Sequence, residues 1–263
     1  MNFYDAHNHL QAECFGGLQA ERLAECLEVR RMVVNGCCEA DWSAVAGLAE
    51  AHSQVLPSFG YHPWFVHERT ADWETELNRM LDAHPVAVGE IGLDRWKEGL
   101  EYEGQESVFL TQLRIAAERN LAASIHCLKA WGRLLELLQE GPVPARGFLL
   151  HSYGGPEEMV PAFTRLGAYC SFPGYFLRNA KGRHREAFKN VPADRLLMET
   201  DAPDQRLPDA LNAHPLTNAA GEPINHPANL PVVYQGVAAM LETPMETLAV
   251  QVEENFLRLF GSE

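Results

Sequence analysis

The stretch "DAHNHL" near the start of the chain places an aspartate and two histidines at alternating positions, as Asp5, His7 and His9. In a β-strand, side chains two residues apart point to the same face, so these three groups would lie together. Polar groups on one face of an apolar strand either meet water, satisfy each other in the core, or hold a ligand. A His-x-His pair is common by chance, so the rest of the chain must decide between these interpretations.

Further ionisable residues lie in or directly after the apolar runs that predict the later strands: His62, Glu90, Asp94, His126, His151, Glu199 and Asp201. Taken singly, His126 and His151 are more typical of hydrogen-bonded core histidines. Glu90 between apolar neighbours requires a cation, because an unpaired buried charge is costly. Imidazole and carboxylate together are ligands of Zn²⁺, Mn²⁺ and similar ions. Four histidines and two carboxylates exceed the needs of one tetrahedral zinc, which predicts two neighbouring metal ions.

The elements that must position these residues alternate along the whole chain, which predicts parallel strands joined by helices. Eight strands are predicted, in "NFYDAHNHL", "RMVVNGC", "VLPSFGYH", "VAVGEIGLD", "AASIHCL", "RGFLLHSY", "AYCSFPGYF" and "RLLMETDAP". Helices are predicted over 20–30, 41–52, 72–84, 105–120, 130–139, 157–166, 182–190, 231–241 and 244–260. We therefore expect one α/β domain over residues 1–263, a (β/α)8 TIM barrel, with a doubly wound sheet as the alternative. Chemistry in such a barrel lies at the C-terminal ends of the strands, where the ionisable residues fall.

The composition is that of an ordinary globular protein, with 263 residues of which 46% are hydrophobic and 22% charged. No apolar run is long enough for a membrane span, and we recognise no secretory signal. The six cysteines form no C-x-x-C pair, so we expect reduced thiols and a cytoplasmic protein. The net charge of -15 disfavours extended binding to duplex DNA but permits a local cationic pocket.

The ordered set of motifs "DAHNHL", "GYHPWF", "GEIGLD", "IHC", "HSYGG" and "ETDAP" resembles the TatD family of metal-dependent hydrolases and deoxyribonucleases, within the amidohydrolase superfamily. The resemblance runs from about residue 3 to residue 260. The most specific motifs are "GEIGLD" and "ETDAP". The resemblance implies a (β/α)8 barrel that holds two divalent metal ions, with Zn, Mg and Mn as the candidates.

The resemblance also implies a role for each site residue. One ion would be bound by His7, His9 and Asp201, and the other by His126 and His151. Glu90 would bridge the two ions. The expected catalytic residues are Asp201, as general base and acid, and His62, which would help to bind the scissile group. Two further carboxylates, Asp5 and Asp94, are expected to orient the metal ligands from behind.

The segments around the substrate depart from the family's usual patterns, in "HCLKAW", "HSYGG" and "INHPAN". Candidates for substrate binding are Arg95, Lys129, Tyr153 and Arg178, with Lys97 and Arg206 as further cations and Trp64, Trp96 and Trp131 as further rings. The alternative is that the cations form a solvated rim and that the aromatic residues pack the loops. A Pro- and Asn-rich stretch over 204–231 predicts a long loop of functional importance.

Three hypotheses follow. The first is a metal-dependent phosphodiesterase of the TatD type, acting from the 3′ end on short single-stranded DNA ends or on small nucleotides. The second keeps the metal ions but changes the bond, to an amide or lactone hydrolase of the wider superfamily. The third is a barrel that binds metal or a partner without turnover. An intact set of metal ligands favours the first two, and the family resemblance favours the first.

Overall fold

The computed structural model describes residues 1–100 and 102–261. Its main sheet contains eight strands in sequential order, each parallel to the next. They are β1 (Phe3–Asn8), β2 (Val29–Asn35), β3 (Val55–Phe59), β4 (Ala87–Asp94), β5 (Ala122–Leu128), β6 (Phe148–Leu150), β7 (Ala168–Pro173) and β8 (Leu196–Glu199). The sequential order confirms the predicted (β/α)8 fold and excludes the doubly wound sheet, in which the strand order reverses.

The first and last strands meet through the segments that carry the polar motifs. The Asp201 amide donates to the His7 carbonyl at 3.0 Å, and the His9 amide donates to the Ala202 carbonyl at 2.7 Å. The Asp5 carboxylate adds hydrogen bonds from the amide and hydroxyl of Thr200, at 2.9 and 2.5 Å. The barrel therefore closes where "DAHNHL" lies against "ETDAP".

Nine helices lie among the described residues: α1 (Gln19–Glu25), α2 (Glu39–Ala51), α3 (Trp73–Ala83), α4 (Tyr102–Arg119), α5 (Trp131–Glu140), α6 (Val160–Arg165), α7 (Gly182–Lys189), α8 (Leu230–Met240) and α9 (Met245–Phe260). Apolar residues spaced by three and four form their inner faces. In α5, for example, Leu134, Leu137 and Leu138 are buried. No helix among the described residues has the length and apolar character needed to cross a membrane.

The predicted bounds of two helices are corrected by the structure. The first was predicted over 20–30 but ends at Glu25, because the chain must turn before β2 begins at Val29. The helix predicted over 157–166 begins with a 3-10 turn over Glu157–Met159 and becomes α-helical only at Val160. Both differences lie at helix ends, where neighbouring elements decide the boundary.

The stretch 204–231 contains more structure than the predicted loop. Two short strands, β9 (Leu216–Thr217) and β10 (Pro223–Ile224), pair antiparallel within it. The Asn225 side chain donates to the Thr200 carbonyl at 2.7 Å, which fixes the stretch next to the end of β8. The buried His226 lies 2.7 Å from the carboxylate of Glu25 in α1, which fixes its other side. This segment therefore packs over one side of the barrel mouth.

Candidate metal centre

Five of the eight strands deliver ionisable side chains to one end of the barrel. The side chains are His7 and His9 from β1 and the residue after it, Glu90 and Asp94 from β4, His126 from β5, His151 directly after β6, and Asp201 two residues after β8. All except His9 are buried, with at most 8% of the residue exposed. His62, which follows β3, is also buried among them. The parallel strands thus bring the predicted ligands together, as the position of each one at a C-terminal strand end requires.

Glu90 lies at the middle of this group. Its Oε2 atom is 3.3 Å from His7 Nε2 and 3.1 Å from His9 Nε2. Its Oε1 atom is 3.0 Å from His126 Nδ1 and 3.0 Å from His151 Nε2, and His62 Nε2 lies 3.4 Å from the same oxygen. The two carboxylate oxygens therefore face two different sets of imidazoles.

Each set of imidazoles converges on a small volume. His7 Nε2 and His9 Nε2 are 3.2 Å apart, and Asp201 Oδ1 lies 3.7 Å from both. On the other side of Glu90, His126 Nδ1 and His151 Nε2 are 3.3 Å apart. Ligand atoms of a tetrahedral ion with bonds of about 2.0–2.1 Å are separated by about 3.3–3.4 Å. The spacing within each pair matches that of two nitrogens sharing one ion.

The hydrogen bonds behind the rings decide which nitrogen faces Glu90. His9 Nδ1 lies 2.8 Å from the Asn35 carbonyl oxygen, which can only accept, so the neutral ring presents a bare Nε2. His126 Nε2 lies 3.0 Å from Asp94 Oδ2, which leaves Nδ1 bare in the same way. A bare nitrogen that faces a carboxylate oxygen at about 3 Å is repulsive unless a cation lies between them. The donor set therefore fits divalent ions.

The electrostatics of the centre also favour a bound cation. Burial opposes the charge on Glu90, but the imidazoles of His62, His151 and His7 outweigh it and hold the pKa of that carboxyl well below its ordinary value. Burial also opposes the charge on His9 and His151. Even so, Cys37 and Glu90 raise the pKa of His9, and Glu90 and Glu199 raise the pKa of His151, in both cases well above the ordinary value. The centre thus holds an ionised carboxylate, and the groups around His9 and His151 stabilise a positive charge at those rings.

In Asp201 and His7, by contrast, burial outweighs the neighbouring charges and shifts the pKa so that the uncharged form is favoured. Burial raises the pKa of Asp201 to about 7 and lowers the pKa of His7 to about 4. A divalent ion beside them would favour the ionised form of Asp201 and the neutral, metal-binding form of His7. Both protonation states are the ones that a metal ligand needs.

The sequence analysis gave no supporting role to several partners of the site residues, although it did mark Glu199 as an ionisable residue at the end of a strand. Ser124 Oγ lies 2.9 Å from His7 Nδ1. Glu199 Oε1 lies 3.6 Å from His151 Nδ1, and Glu199 itself accepts hydrogen bonds from Ser152 and Ser171. The side-chain amide of Gln205 donates to Asp201 Oδ2 at 2.7 Å. Ser124 and Glu199 each stand two residues before a predicted ligand, so strand alternation could have found them.

The two carboxylates expected behind the ligands occupy different positions. Asp94 lies behind a predicted ligand, with its Oδ2 atom 3.0 Å from His126 Nε2. Asp5 instead accepts hydrogen bonds from the backbone amides of His7 and Thr200 and from the Thr200 hydroxyl. It therefore joins β1 to β8, while the His7 ring is held by Ser124.

The four residues predicted to bind substrate differ in availability. Lys129 is exposed beyond the end of β5, and Arg95 is exposed beyond β4, 3.4 Å from Glu106. The Arg178 guanidinium donates to the backbone carbonyls of Arg206 and Leu207. Tyr153 is fully buried, and its hydroxyl donates to the Pro156 carbonyl at 2.7 Å. Lys129 and Arg95 are exposed at the rim, with Arg95 beside Glu106 and the Tyr102 ring, whereas Arg178 and Tyr153 hold the neighbouring loops.

The structure explains why the second glycine of "GEIGLD", Gly92, stands between Glu90 and Asp94. Its φ is +146°, in a region that favours glycine, and a Cβ atom built on it would lie 2.0 Å from the His126 carbonyl oxygen. Only glycine lets β4 pass this close to β5. The close approach brings Glu90 and Asp94 to the two sides of the His126 ring.

Comparison with known proteins agrees with this geometry. Residues 4–261 match the family model of TatD related DNase. A 3′-5′ ssDNA/RNA exonuclease TatD from Pantoea ananatis is 32% identical over 236 residues, covering 89% of this chain and 88% of the relative. A protein from Bacillus subtilis named uncharacterized metal-dependent hydrolase YabD is 31% identical over 265 residues, covering 98% of each chain. The crystal structure of YJJV, a TatD homologue from Escherichia coli, has a TM-score of 0.89 at 25% identity, covering 99% of this chain and 98% of that one.

Fold and site together define a metal-dependent hydrolase built on a (β/α)8 barrel. The chain belongs to the TatD related DNase family. This membership confirms the resemblance found in the sequence and the predicted class of enzyme, a TatD-type metal-dependent hydrolase acting on ester bonds. The hypothesis of a barrel without turnover has no support from these comparisons.

Proposed function

We propose that the protein is a metal-dependent phosphodiesterase that removes nucleotides from the 3′ ends of single-stranded nucleic acid. The observation that carries the proposal is the position of Glu90, whose two oxygens face two separate groups of imidazoles at 3.0–3.4 Å. Two adjacent divalent ions are the usual device for displacement at a phosphodiester. The relative from Pantoea ananatis, named a 3′-5′ ssDNA/RNA exonuclease, supports this choice of substrate.

We assign the ligands to two ions according to which oxygen of Glu90 they lie beside. His7, His9 and Asp201 would hold one ion, and His126 and His151 would hold the other, with Glu90 shared. Mixed nitrogen and oxygen donors suit Zn²⁺ or Mn²⁺ better than Mg²⁺, which prefers oxygen ligands. The number and identity of the ions remain part of the proposal.

Divalent ions, when bound, lower the pKa of water and offset the charge that develops on the phosphate oxygens. The chain's own groups supply the rest. Asp201, with Oδ1 towards the imidazoles and Oδ2 held by Gln205, would take the proton of the attacking water and return it to the leaving group. His62, next to Glu90 Oε1, would hold an oxygen of the scissile phosphate. Burial of Asp201, His62 and Glu90 keeps bulk water from competing.

The charge distribution supports a strand end rather than a duplex. A protein with a net charge of -15 repels a long polyanion, whereas one exposed 3′ end can reach a cationic centre in the barrel mouth. Arg95 and Lys129, both exposed beyond neighbouring strand ends, would guide it. Arg178 would contribute indirectly, by fixing the loop that contains Arg206, and we assign Tyr153 the same supporting role.

We further propose that residues 1–263 act as one catalytic unit and that the unit works in the cytoplasm. All six cysteines are free, and three of them are buried. Free thiols are typical of proteins kept in a reducing compartment.

The proposal is tested with a 5′-labelled single-stranded oligonucleotide and protein reconstituted with Mn²⁺. We expect a ladder that shortens from the 3′ end, because the label stays on the protected end. Asp201→Asn should reduce the rate by at least about 1000-fold, since it removes a ligand oxygen charge and the proton acceptor together. Asp209→Asn, an exposed carboxylate on the same loop, is the matched control and should leave the rate unchanged.

Cleavage by Asp201→Asn at the rate of the parent protein would identify a contaminating nuclease and contradict the proposal. Failure of the parent protein to cleave, with metal bound, would contradict the choice of substrate.

A further inference from the structure

Exposed rings and cations gather where β4 ends and the chain turns towards α4. We define the β4-turn cluster as Trp64, Arg95, Trp96, Lys97 and Tyr102. Trp96 is 55% exposed and Tyr102 is 43% exposed, which is unusual for large rings. Within residues 1–100 and 102–261, the Trp96 ring makes no ring–ring or cation–π contact. The cluster thus places aromatic rings and two cations at the surface, and one of the cations, Arg95, lies 3.4 Å from the carboxylate of Glu106.

One carboxylate links this cluster to the metal centre. Asp94 Oδ1 accepts the backbone amides of Trp96 and Lys97, at 2.7 and 3.0 Å. Its Oδ2 atom accepts the indole N–H of Trp64 at 2.7 Å and faces His126 Nε2 at 3.0 Å. The turn, the Trp64 ring and a metal-centre imidazole are therefore fixed relative to one another.

The Trp64 ring stands close to the candidate metal centre. The Trp64 ring centroid is 5.2 Å from the ring of His62 and 6.5 Å from the ring of His126. Lys97 Nζ lies 4.1 Å from the Trp64 ring centroid, in cation–π contact. A group bound beside Trp64 would therefore lie next to Lys97, at the edge of the candidate metal centre.

The other aromatic candidates at the mouth are engaged within the fold. The Trp131 ring packs at 4.7 Å against Tyr153, which is itself fully buried. The Trp64 ring is half-buried and already carries Lys97, so among the four aromatic candidates Trp96 offers the exposed stacking surface.

We propose that Trp96 and Lys97, the latter held against the Trp64 ring, form a stacking platform that binds a nucleobase and the adjoining phosphate of single-stranded nucleic acid beside the metal centre. The inference rests on the proposed nuclease function and names the part of the substrate that this surface recognises. Stacking on an aromatic ring tolerates any base, since every base has a π face, and it requires that the base be unpaired. The platform thus selects single strands without selecting a sequence.

The test measures binding separately from hydrolysis. Fluorescence anisotropy follows a labelled single-stranded octanucleotide with phosphorothioate linkages as it binds Mn²⁺-loaded protein. Turnover of methyl 4-nitrophenyl phosphate, a small diester without a nucleobase, reports on the metal centre. The variants are Trp96→Ala, Trp96→Phe and Lys97→Gln. The matched controls, Leu27→Ala and Lys189→Gln, alter an exposed apolar and an exposed cationic residue that precede strands at the opposite end of the barrel.

We expect Trp96→Ala to weaken octanucleotide binding by about 5- to 100-fold and Trp96→Phe to restore most of it. Lys97→Gln should reduce the slope of log K against log salt by about 0.7, the value for one phosphate contact on a single strand. Turnover of the small diester should stay within about twofold in every variant, because the metal centre is unchanged.

Undiminished octanucleotide binding by Trp96→Ala, with small-diester turnover intact, would overturn the platform and leave the phosphodiesterase standing. Loss of small-diester turnover in Trp96→Ala would also overturn it, because the damage would then lie in the metal centre. A parent protein that neither binds the octanucleotide nor hydrolyses the diester would overturn the proposed function together with the platform.

Discussion

At the scale of single residues, each imidazole of the candidate metal centre turns one ring nitrogen towards Glu90 and the other towards a polar group behind the ring. The candidate ligands themselves could be predicted, because strand alternation and strand ends mark His7, His9, Glu90 and Asp201 in the sequence. Their supporting partners could not all be predicted. Ser124 bonds to the His7 ring from 117 residues away, and only the folded barrel brings the two together. Sequence spacing predicts which face a side chain occupies, but not which strand supplies its partner.

Glu199 gives the clearest prediction at this scale. Its carboxylate, held by Ser152 and Ser171, faces Nδ1 of His151 and raises the pKa of that ring. Glu199→Gln keeps the shape but removes the charge, so we expect the affinity for Mn²⁺ to fall by about 10- to 100-fold. Competition against a fluorescent chelator measures this affinity.

Ser171→Ala is the matched control, since it removes one hydrogen bond from Glu199 and keeps the charge. It should weaken Mn²⁺ binding less than Glu199→Gln does. Unchanged affinity in Glu199→Gln would show that His151 needs no partner behind it.

At the scale of elements, the order and type of the eight strands could be predicted, while several boundaries could not. The first helix ends at Glu25 because β2 must begin at Val29, a constraint that the local amphipathic pattern does not contain. The paired strands β9 and β10 were missed because two residues per strand are too short for any periodicity to show. Long periodic elements are specified locally, and short ones depend on what they pack against.

The passage of β4 over β5 provides a stability test for one element. Gly92→Ala would place a Cβ atom against the His126 carbonyl and impose a positive φ on alanine. We expect the free energy of unfolding to fall by at least about 2 kcal/mol, from strain and overpacking together. Urea denaturation, with midpoint and slope both recorded, measures the change.

Gly47→Ala, on the exposed face of α2 with nothing within 4 Å of the added Cβ atom, is the control. It should increase stability by about 0.5–1 kcal/mol, because alanine is a better helix former than glycine. Equal effects of the two substitutions would show that β4 does not need a glycine at position 92.

At the scale of the whole molecule, the barrel assembles its site from six strands spread along the sequence, and it closes where β1 meets the end of β8. The acidic composition predicted weak attraction for duplex DNA, but it could not predict that Trp64, Trp96 and Lys97 would gather at the mouth. Net charge is a sum over the surface, whereas the field at a site depends on which few groups the fold places there. An acidic protein can therefore still place individual cations, such as Lys97, beside the candidate metal centre.

Under the proposed function, two divalent ions bound on either side of Glu90 make this protein a phosphodiesterase. The most direct test of this claim is a stepwise titration of chelator-treated protein with Mn²⁺, with bound metal and turnover of the 5′-labelled oligonucleotide measured at each step. We predict no turnover without Mn²⁺ and a rise in turnover that reaches its plateau only when two equivalents are bound. Turnover by metal-free protein, a plateau at one equivalent, or no turnover with two equivalents bound would each contradict the claim.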